Sequence, residues 1–143
     1  MSEEVRLQRL TVAMKAISII FIVGFLPVFV LAVLDSPIVA QGSLIAFLFR
    51  WQPYNVAYFG MLVTIFIVWG IFLWKASRNP KEHRLFIDFT IWASLAHAVF
   101  MLVFAIYLEG ELIHVVGDVA VLALIAAVLY WLRPRPVAKM SEV

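Results

Sequence analysis

Three ionisable side chains recur at helical spacing in an apolar stretch near the carboxyl end of the chain. Glu111, His114 and Asp118 are three and four residues apart, so a helix would present them on one face. An ionised carboxylate inside a membrane span costs roughly 2.5 to 3.5 kcal/mol, so such a side chain normally faces other helices and has a partner there. We therefore expect Asp118 to have a polar partner within the protein.

A second polar row lies in the apolar segment before this one. Its members, at steps of four, three and four residues, are Thr90, Ser94, His97 and Met101. When the two segments are aligned as an antiparallel hairpin, His97 lies ~7 Å deeper than Asp118 along the helix axis. That offset favours a bridging water, ion or ligand over direct contact between the two side chains.

Histidine and aspartate at these positions could do three kinds of chemistry, of which the first is to hold or pass a proton near neutral pH. His97, His114 and Asp118 could instead hold a metal ion. Met101 would then add a soft ligand, but this spacing is a poor predictor of a metal site. Polar side chains in membrane helices most often hydrogen-bond other helices, and we favour that interpretation. We therefore predict no cofactor. The seven side chains of the two rows remain candidates for a ligand or proton site.

The segments that carry these rows belong to a strongly apolar chain. Of its 143 residues, 65% are hydrophobic and 14% are charged, which lies outside the usual composition of soluble proteins. The apolar residues form separate runs of roughly 20, the length that crosses a bilayer. There is no cysteine, which excludes disulfides, thiolate metal sites and cysteine nucleophiles. The sequence predicts one all-α transmembrane domain over residues 1–143, a four-helix bundle with spans at about 11–34, 56–74, 85–108 and 112–132.

The distribution of basic residues predicts the orientation of the bundle. Arg50 alone falls on one side, whereas the other side carries Arg6, Arg9, Lys15, Lys75, Arg78, Lys81, Arg84, Arg133, Arg135 and Lys139. Because lysine and arginine are enriched on the cytoplasmic side of membrane proteins, we expect both termini in the cytoplasm. This clustering at helix ends explains the net charge of +2 without nucleic acid, so the expected partner is the lipid bilayer. We also expect Asp88 to pair with Arg84 one turn earlier.

The connection between the first two spans contains an unusual apolar segment. Residues 38–49 are strongly apolar but too few to cross the bilayer. Asp35-Ser36-Pro37 has the capping side chain and early proline that are typical of a helix start, so we predict a short interfacial or re-entrant helix ending before Pro53. Such a helix would be a lipid-facing anchor, the interpretation we favour, or a lid over an outward-facing cavity.

Further features concern the shape and packing of the helices. Pro27 lies within the first span, where it removes a backbone hydrogen bond and should bend the helix. The turn Glu109-Gly110-Glu111 is so short that the third and fourth spans must be antiparallel neighbours. Small residues at four-residue spacing would let backbones approach closely, and the two such pairs are Gly60 with Thr64 and Ala123 with Ala127.

From about Arg78 onward the sequence resembles an uncharacterised family of small four-span bacterial membrane proteins. The resemblance rests on Asn79-Pro80, Phe89-Thr90, Trp92-x-Ser94, His97, Met101, His114-x-x-Gly117-Asp118-Val119 and Pro134-Arg135. A looser match lies at Trp51-Gln52-Pro53. The resemblance implies a membrane bundle from a bacterium, and we expect it in the inner membrane. It names no substrate, cofactor or catalytic residue.

No phosphate-binding loop, nucleophile elbow or other recognisable enzyme motif is present in the sequence. A compact four-span chain has much lipid-facing surface and little room for chemistry. We therefore favour a non-catalytic accessory or stabilising subunit of a larger membrane complex, with a protein partner or homo-oligomerisation within the membrane. The alternative is a small transporter or membrane enzyme that binds a proton, metal ion or polar ligand at His97, His114 and Asp118.

Overall fold

The computed structural model describes residues 2–40, 42–49, 51 and 54–134. Within these residues every regular element is helical, and four helices are long and apolar enough to cross a membrane. The all-α prediction with four helices of spanning length is therefore confirmed. The predictions of orientation, of the loop helix and of the family motifs also used residues that lie outside the described part. These residues are Arg50, Gln52, Pro53, Arg135 and Lys139.

The first spanning helix has two α-helical parts, α1 (Glu3–Ile19) and α2 (Phe25–Val33), joined by a π-helical turn at Ile20–Gly24. It begins earlier than the predicted span because the Ser2 side chain accepts a hydrogen bond from the Val5 N–H at 3.4 Å. The π turn lies just before Pro27, whose ring excludes a regular hydrogen bond to the preceding turn. The predicted irregularity at Pro27 is thus a wider helical turn on its amino-terminal side.

The connection after α2 contains two short helices rather than one. Ser36 begins a 3₁₀ turn at Pro37–Val39, as the capping pattern predicted. The chain then turns at Gly42, which has a φ of +88°, and forms α3 (Leu44–Phe49). A positive φ suits glycine and cannot continue a right-handed helix, so the apolar segment is divided at this residue.

Three more helices complete the bundle, namely α4 (Val56–Ala76), α5 (Arg84–Tyr107) and α6 (Ala120–Leu132). A second π-helical turn, Val115–Val119, leads directly into α6. The α5 helix packs extensively on α6, so the predicted hairpin is confirmed. The α1 helix lies between α4 and α6, whereas α4 and α5 make little contact with each other. The four spanning helices therefore form an arc. We call the loosely packed boundary between α4 and α5 the seam.

The backbones of α1 and α4 approach each other closely at Gly70. A Cβ atom at this glycine would lie 3.1 Å from the Ser18 carbonyl oxygen and 2.9 Å from the Ile22 Cγ1 atom. The buried Ser18 hydroxyl donates to the Gly70 carbonyl at 2.6 Å. Of the small-residue pairs singled out above, Ala123 and Ala127 are exposed on α6, and Gly60 packs under the Phe29 ring. The backbone approach therefore occurs at a glycine outside both pairs.

The two ends of the bundle differ in their chemistry. We call the end that carries Glu3, Lys81, Arg84 and Arg133 the basic end, and the end that carries Trp51 and the 108–111 turn the loop end. At the basic end Asp88 lies 3.7 Å from Arg84, as predicted, and 3.1 Å from Arg133. The seam is closed in this half, because the Trp69 indole of α4 donates to the Thr90 hydroxyl of α5 at 3.0 Å.

Candidate functional site

The structure brings Glu111, His114 and Asp118 together at the loop end. The His114 Nε2 atom lies 3.1 Å from Glu111 Oε2, and its Nδ1 atom lies 3.2 Å from Asp118 Oδ2. His114 is only 2% exposed, and Glu111 is buried beside it. The sequence predicted that these three side chains share one helix face; they do lie together, although Glu111 is in the turn before the helix. We call them the acid–histidine cluster.

The charge of the acid–histidine cluster depends on where its protons lie. The contact between His114 Nδ1 and Asp118 Oδ2 has hydrogen-bond geometry, and which atom donates depends on the imidazole tautomer. The contact between His114 Nε2 and Glu111 is an ion pair when the imidazole is protonated. The cluster therefore places two carboxyl groups against one imidazole.

The backbone around the cluster departs from a regular α-helix. Glu111 lies in the turn before the helix, and residues 115–119 form the π-helical turn. Within it Gly117 has φ −81° and ψ −110°, which is not a helical conformation. The Asp118 Oδ1 atom accepts a hydrogen bond from the Val119 N–H at 3.1 Å. This turn directs the carboxylate of Asp118 toward His114 and toward the centre of the bundle.

Trp51 is a member of the site that residue spacing did not identify. Its indole Nε1 donates to Asp118 Oδ2 at 2.9 Å, across 67 positions of sequence. Its ring also stacks on the His114 imidazole, with centroids 4.1 Å apart and an interplanar angle of 23°. The only sequence signal was the loose family match at Trp51-Gln52-Pro53. Trp51 therefore joins the connection between the first two spans to the turn that begins α6.

The polar row on α5 divides into two pairs with different surroundings. Thr90 accepts from Trp69 and donates to the Phe86 carbonyl at 2.9 Å, so it belongs to the α4–α5 contact. Ser94 is fully buried, and its hydroxyl has no hydrogen-bond partner within the described residues. His97 and Met101 lie nearer the loop end and line cavities instead. The structure thus places only the latter pair beside the acid–histidine cluster.

Among the residues that the structure describes, two cavities lie in the loop-end half of the bundle. The lateral chamber, with a volume of 420 Å³, lies between the diverging halves of α4 and α5. The central chamber, with a volume of 80 Å³, lies among the four spanning helices and includes the Asp118 side chain in its wall. Trp51, His97 and Met101 line both chambers. His97 and Asp118 therefore face one shared space, although no direct hydrogen bond joins them in the part of the chain described.

The positions of the histidine and carboxylate side chains determine whether they could bind a metal ion together. Both nitrogens of His114 face carboxylate oxygens of its own cluster, and His97 lies on another helix beside the chambers. Across the described ranges, no group of three or more histidine, aspartate or glutamate side chains is placed to hold a metal ion. What the geometry offers is an imidazole between two carboxylates, with a second imidazole across a small cavity.

A sequence profile of a family of unknown function, DUF6632, matches residues 12–140. The chain belongs to this family. The match covers most of the chain, whereas the motifs that carry the resemblance lie mainly after Arg78. No curated protein and no solved structure matches the chain. Membership of DUF6632 confirms the resemblance to an uncharacterised family and supplies no activity.

Proposed function

We infer that this chain is a non-catalytic accessory or stabilising subunit of a larger complex in a bacterial inner membrane. The polar atoms of His114 are engaged by Glu111 and Asp118, and the stacked Trp51 ring covers one face of the imidazole. Such a closed arrangement fixes the connection between the first two spans on the helix bundle. It leaves His114 without the free nitrogen that general acid–base catalysis of an external substrate needs.

The observation that carries the subunit role is the position of Trp92 on α5. Its side chain is 59% exposed, and its indole N–H has no hydrogen-bond partner within the described residues. Trp92 lies about 12 Å along the helix axis from Arg84, deeper than the interfacial belt that tryptophan prefers. An unpaired N–H in hydrocarbon is unfavourable, so an acceptor on a neighbouring membrane protein would stabilise this position.

The rest of that surface is compatible with helix docking. α5 packs on α6 along one side, and large apolar side chains cover much of its remaining circumference. Phe89, Val99 and Val103 are among those exposed near Trp92 or further along the helix. We expect a partner helix to lie against this surface and to accept the indole N–H.

Native mass spectrometry of the protein extracted gently from its own membrane tests the subunit role. We expect a second polypeptide at fixed stoichiometry in addition to the 16.3 kDa chain. A photoreactive phenylalanine analogue at position 92 should cross-link to that same polypeptide. The matched control is position 131, because Trp131 is 84% exposed but lies at the basic end of α6.

Two variants separate the docking surface from general stability. Trp92→Ala should release the second polypeptide, whereas Trp131→Ala should retain it, with both variants still folded. A bare chain, or masses that are only multiples of 16.3 kDa, would overturn the subunit role. Retention of the partner in Trp92→Ala would overturn the docking surface.

A second candidate function, a small transporter or other ligand-binding membrane protein, is favoured by one observation at the loop end. His97 lines both chambers, and neither of its ring nitrogens has a hydrogen-bond partner in the described part of the chain. An imidazole in such a position has a free hydrogen-bonding group for a bound molecule. This candidate and the subunit role concern different surfaces and are compatible.

A further inference from the structure

The two chambers at the loop end adjoin each other and differ in chemistry. Besides Trp51, His97 and Met101, the residues that line both chambers are Phe59 and Leu62. The lateral chamber has the size of a small-molecule site, for which the usual range is about 300 to 1,000 Å³. The central chamber has room for a small polar group, since one water occupies about 30 Å³ of liquid. A ligand that passes between the shared side chains would place its bulk in the lateral chamber and its head group in the central one.

The central chamber provides hydrogen-bond acceptors. A carboxylate has about four acceptor sites. Those of Asp118 receive the Trp51 indole, the Val119 amide and the contact with His114, which leaves about one site, and the Asp118 side chain lines the chamber. Across the chamber, a neutral His97 imidazole has one nitrogen that accepts a hydrogen bond. Because these groups accept hydrogen bonds and one of them is a carboxyl group, a positively charged donor is the chemical complement of this chamber.

The lateral chamber provides aromatic surface. Four of the rings in its wall come from α4 and α5, namely Tyr58, Phe59, Phe100 and Phe104. Aromatic faces attract organic cations as well as apolar groups. Hydrophobic bulk next to a positive group is therefore what this wall would bind best.

We propose that the two chambers bind a lipophilic ammonium ion, that is, a protonated amine carried on a compact apolar body. The ammonium N–H groups donate to Asp118 and His97 in the central chamber, and the apolar body lies among the aromatic rings of the lateral chamber. A lipid acyl chain would fill the lateral chamber but leave Asp118 and His97 unused. The proposal names the ligand class of the second candidate function and does not depend on the subunit role.

Equilibrium binding to the full chain in lipid nanodiscs tests this assignment. The probe is 1-aminoadamantane, and its neutral counterpart is 1-adamantanol, which has nearly the same shape without the charge. Empty nanodiscs measure the partition of each compound into lipid. We expect saturable binding of one amine per chain and at least tenfold weaker binding of the alcohol, which corresponds to about 1.4 kcal/mol or more.

Matched variants locate the bound amine. Asp118→Asn should weaken amine binding at least tenfold, whereas Asp88→Asn, which changes a carboxylate at the basic end, should leave it unchanged. Met101→Phe adds bulk to the wall shared by both chambers and should also abolish binding. Its control is Val103→Phe on the exposed face of α5. If Asp118→Asn fails to fold, the comparison of Met101→Phe and Val103→Phe still decides.

Three results would overturn the proposal. The first is amine uptake equal to that of empty nanodiscs. The second is equal binding of amine and alcohol, which would make the lateral chamber a nonspecific apolar cavity. The third is unchanged amine binding in Met101→Phe. None of these results bears on the second polypeptide expected at Trp92, so failure of the ligand site and failure of the subunit role are distinguishable.

Discussion

The basic end and the loop end place their charged groups in opposite ways. At the basic end, Asp88 pairs with Arg84 and Arg133, and all three side chains remain partly exposed. At the loop end, Glu111 and His114 are buried and the cluster is closed by Trp51. Charges near a membrane surface need little support, whereas buried charges require pairing and hydrogen bonds. The buried cluster should therefore respond more strongly to mutation.

The same contrast applies to the seam between α4 and α5. Near the basic end, the Trp69–Thr90 hydrogen bond and a ring contact between Trp69 and Phe89 at 5.5 Å close it. Toward the loop end, the helices diverge around the lateral chamber. A packed half positions the helices, and an open half leaves space for a ligand. Three substitutions test this division, in order of decreasing expected effect.

The largest effect is expected from His114→Leu at the loop end. The substitution removes the imidazole that lies between the carboxyl groups of Glu111 and Asp118. Removal of one partner from a buried ionic contact typically costs about 3 to 5 kcal/mol. We expect a loss of this size in the free energy of unfolding, measured by SDS titration in mixed micelles.

His83→Leu, in the exposed turn before α5, is the control and should be nearly neutral. A loss of less than about 1 kcal/mol for His114→Leu would show that the cluster does not hold the loop end together.

An intermediate effect is expected from Gly70→Ala in the packed half. The new methyl group would meet the Ser18 carbonyl oxygen and the Ile22 side chain of the first spanning helix. Overpacking of this kind typically costs about 1 to 3 kcal/mol. Gly24→Ala is the control, because a Cβ atom there has no neighbour within 4 Å. Equal stability of the two variants in the same SDS titration would mean that the α1–α4 crossing tolerates separation.

The smallest effect is expected from Asp88→Asn at the basic end. Partly exposed ion pairs contribute about 0 to 1 kcal/mol, so the loss of unfolding free energy should fall in that range. It should shrink further when salt rises from about 0.1 M to 1 M, because the Debye length falls from about 10 Å to 3 Å. A loss as large as that of His114→Leu, or one that salt does not alter, would contradict the difference between the two ends.

Sequence periodicity predicted the parts of this molecule that depend on local spacing. The four spanning helices, the α5–α6 hairpin and the Asp88–Arg84 pair all follow from residue types within one or two turns of each other. Glu111, His114 and Asp118 were predicted to share one helix face, and they do lie together, although Glu111 is in the turn before the helix. In each case the interacting residues are near in sequence, so spacing and turn length largely determine their geometry.

Features that depend on distant residues or irregular backbone could not be predicted in this way. Trp51 reaches Asp118 through a loop fold that no periodic pattern encodes. The row on α5 was expected to act as one face, but the divergence of α4 separates Thr90 and Ser94 from His97 and Met101. Similarly, spacing selected two small-residue pairs, whereas the close approach of α1 and α4 is at Gly70, because the partner of this glycine on α1 is set by the packing of the whole bundle.

The π-helical turn at Val115–Val119 has a consequence for the angular phase of the last helix. Gly117 within it has a ψ of −110°, so the turn interrupts the regular rotation of about 100° per residue of an α-helix. The face of α6 that packs against α5 and α1, which includes Leu122, Ile125 and Leu129, is therefore out of phase with the residues before the turn. In a continuous α-helix, His114 and this packing face would have a different angular relation. The irregular turn allows one short segment to satisfy two geometries, the cluster at its start and the bundle along its length.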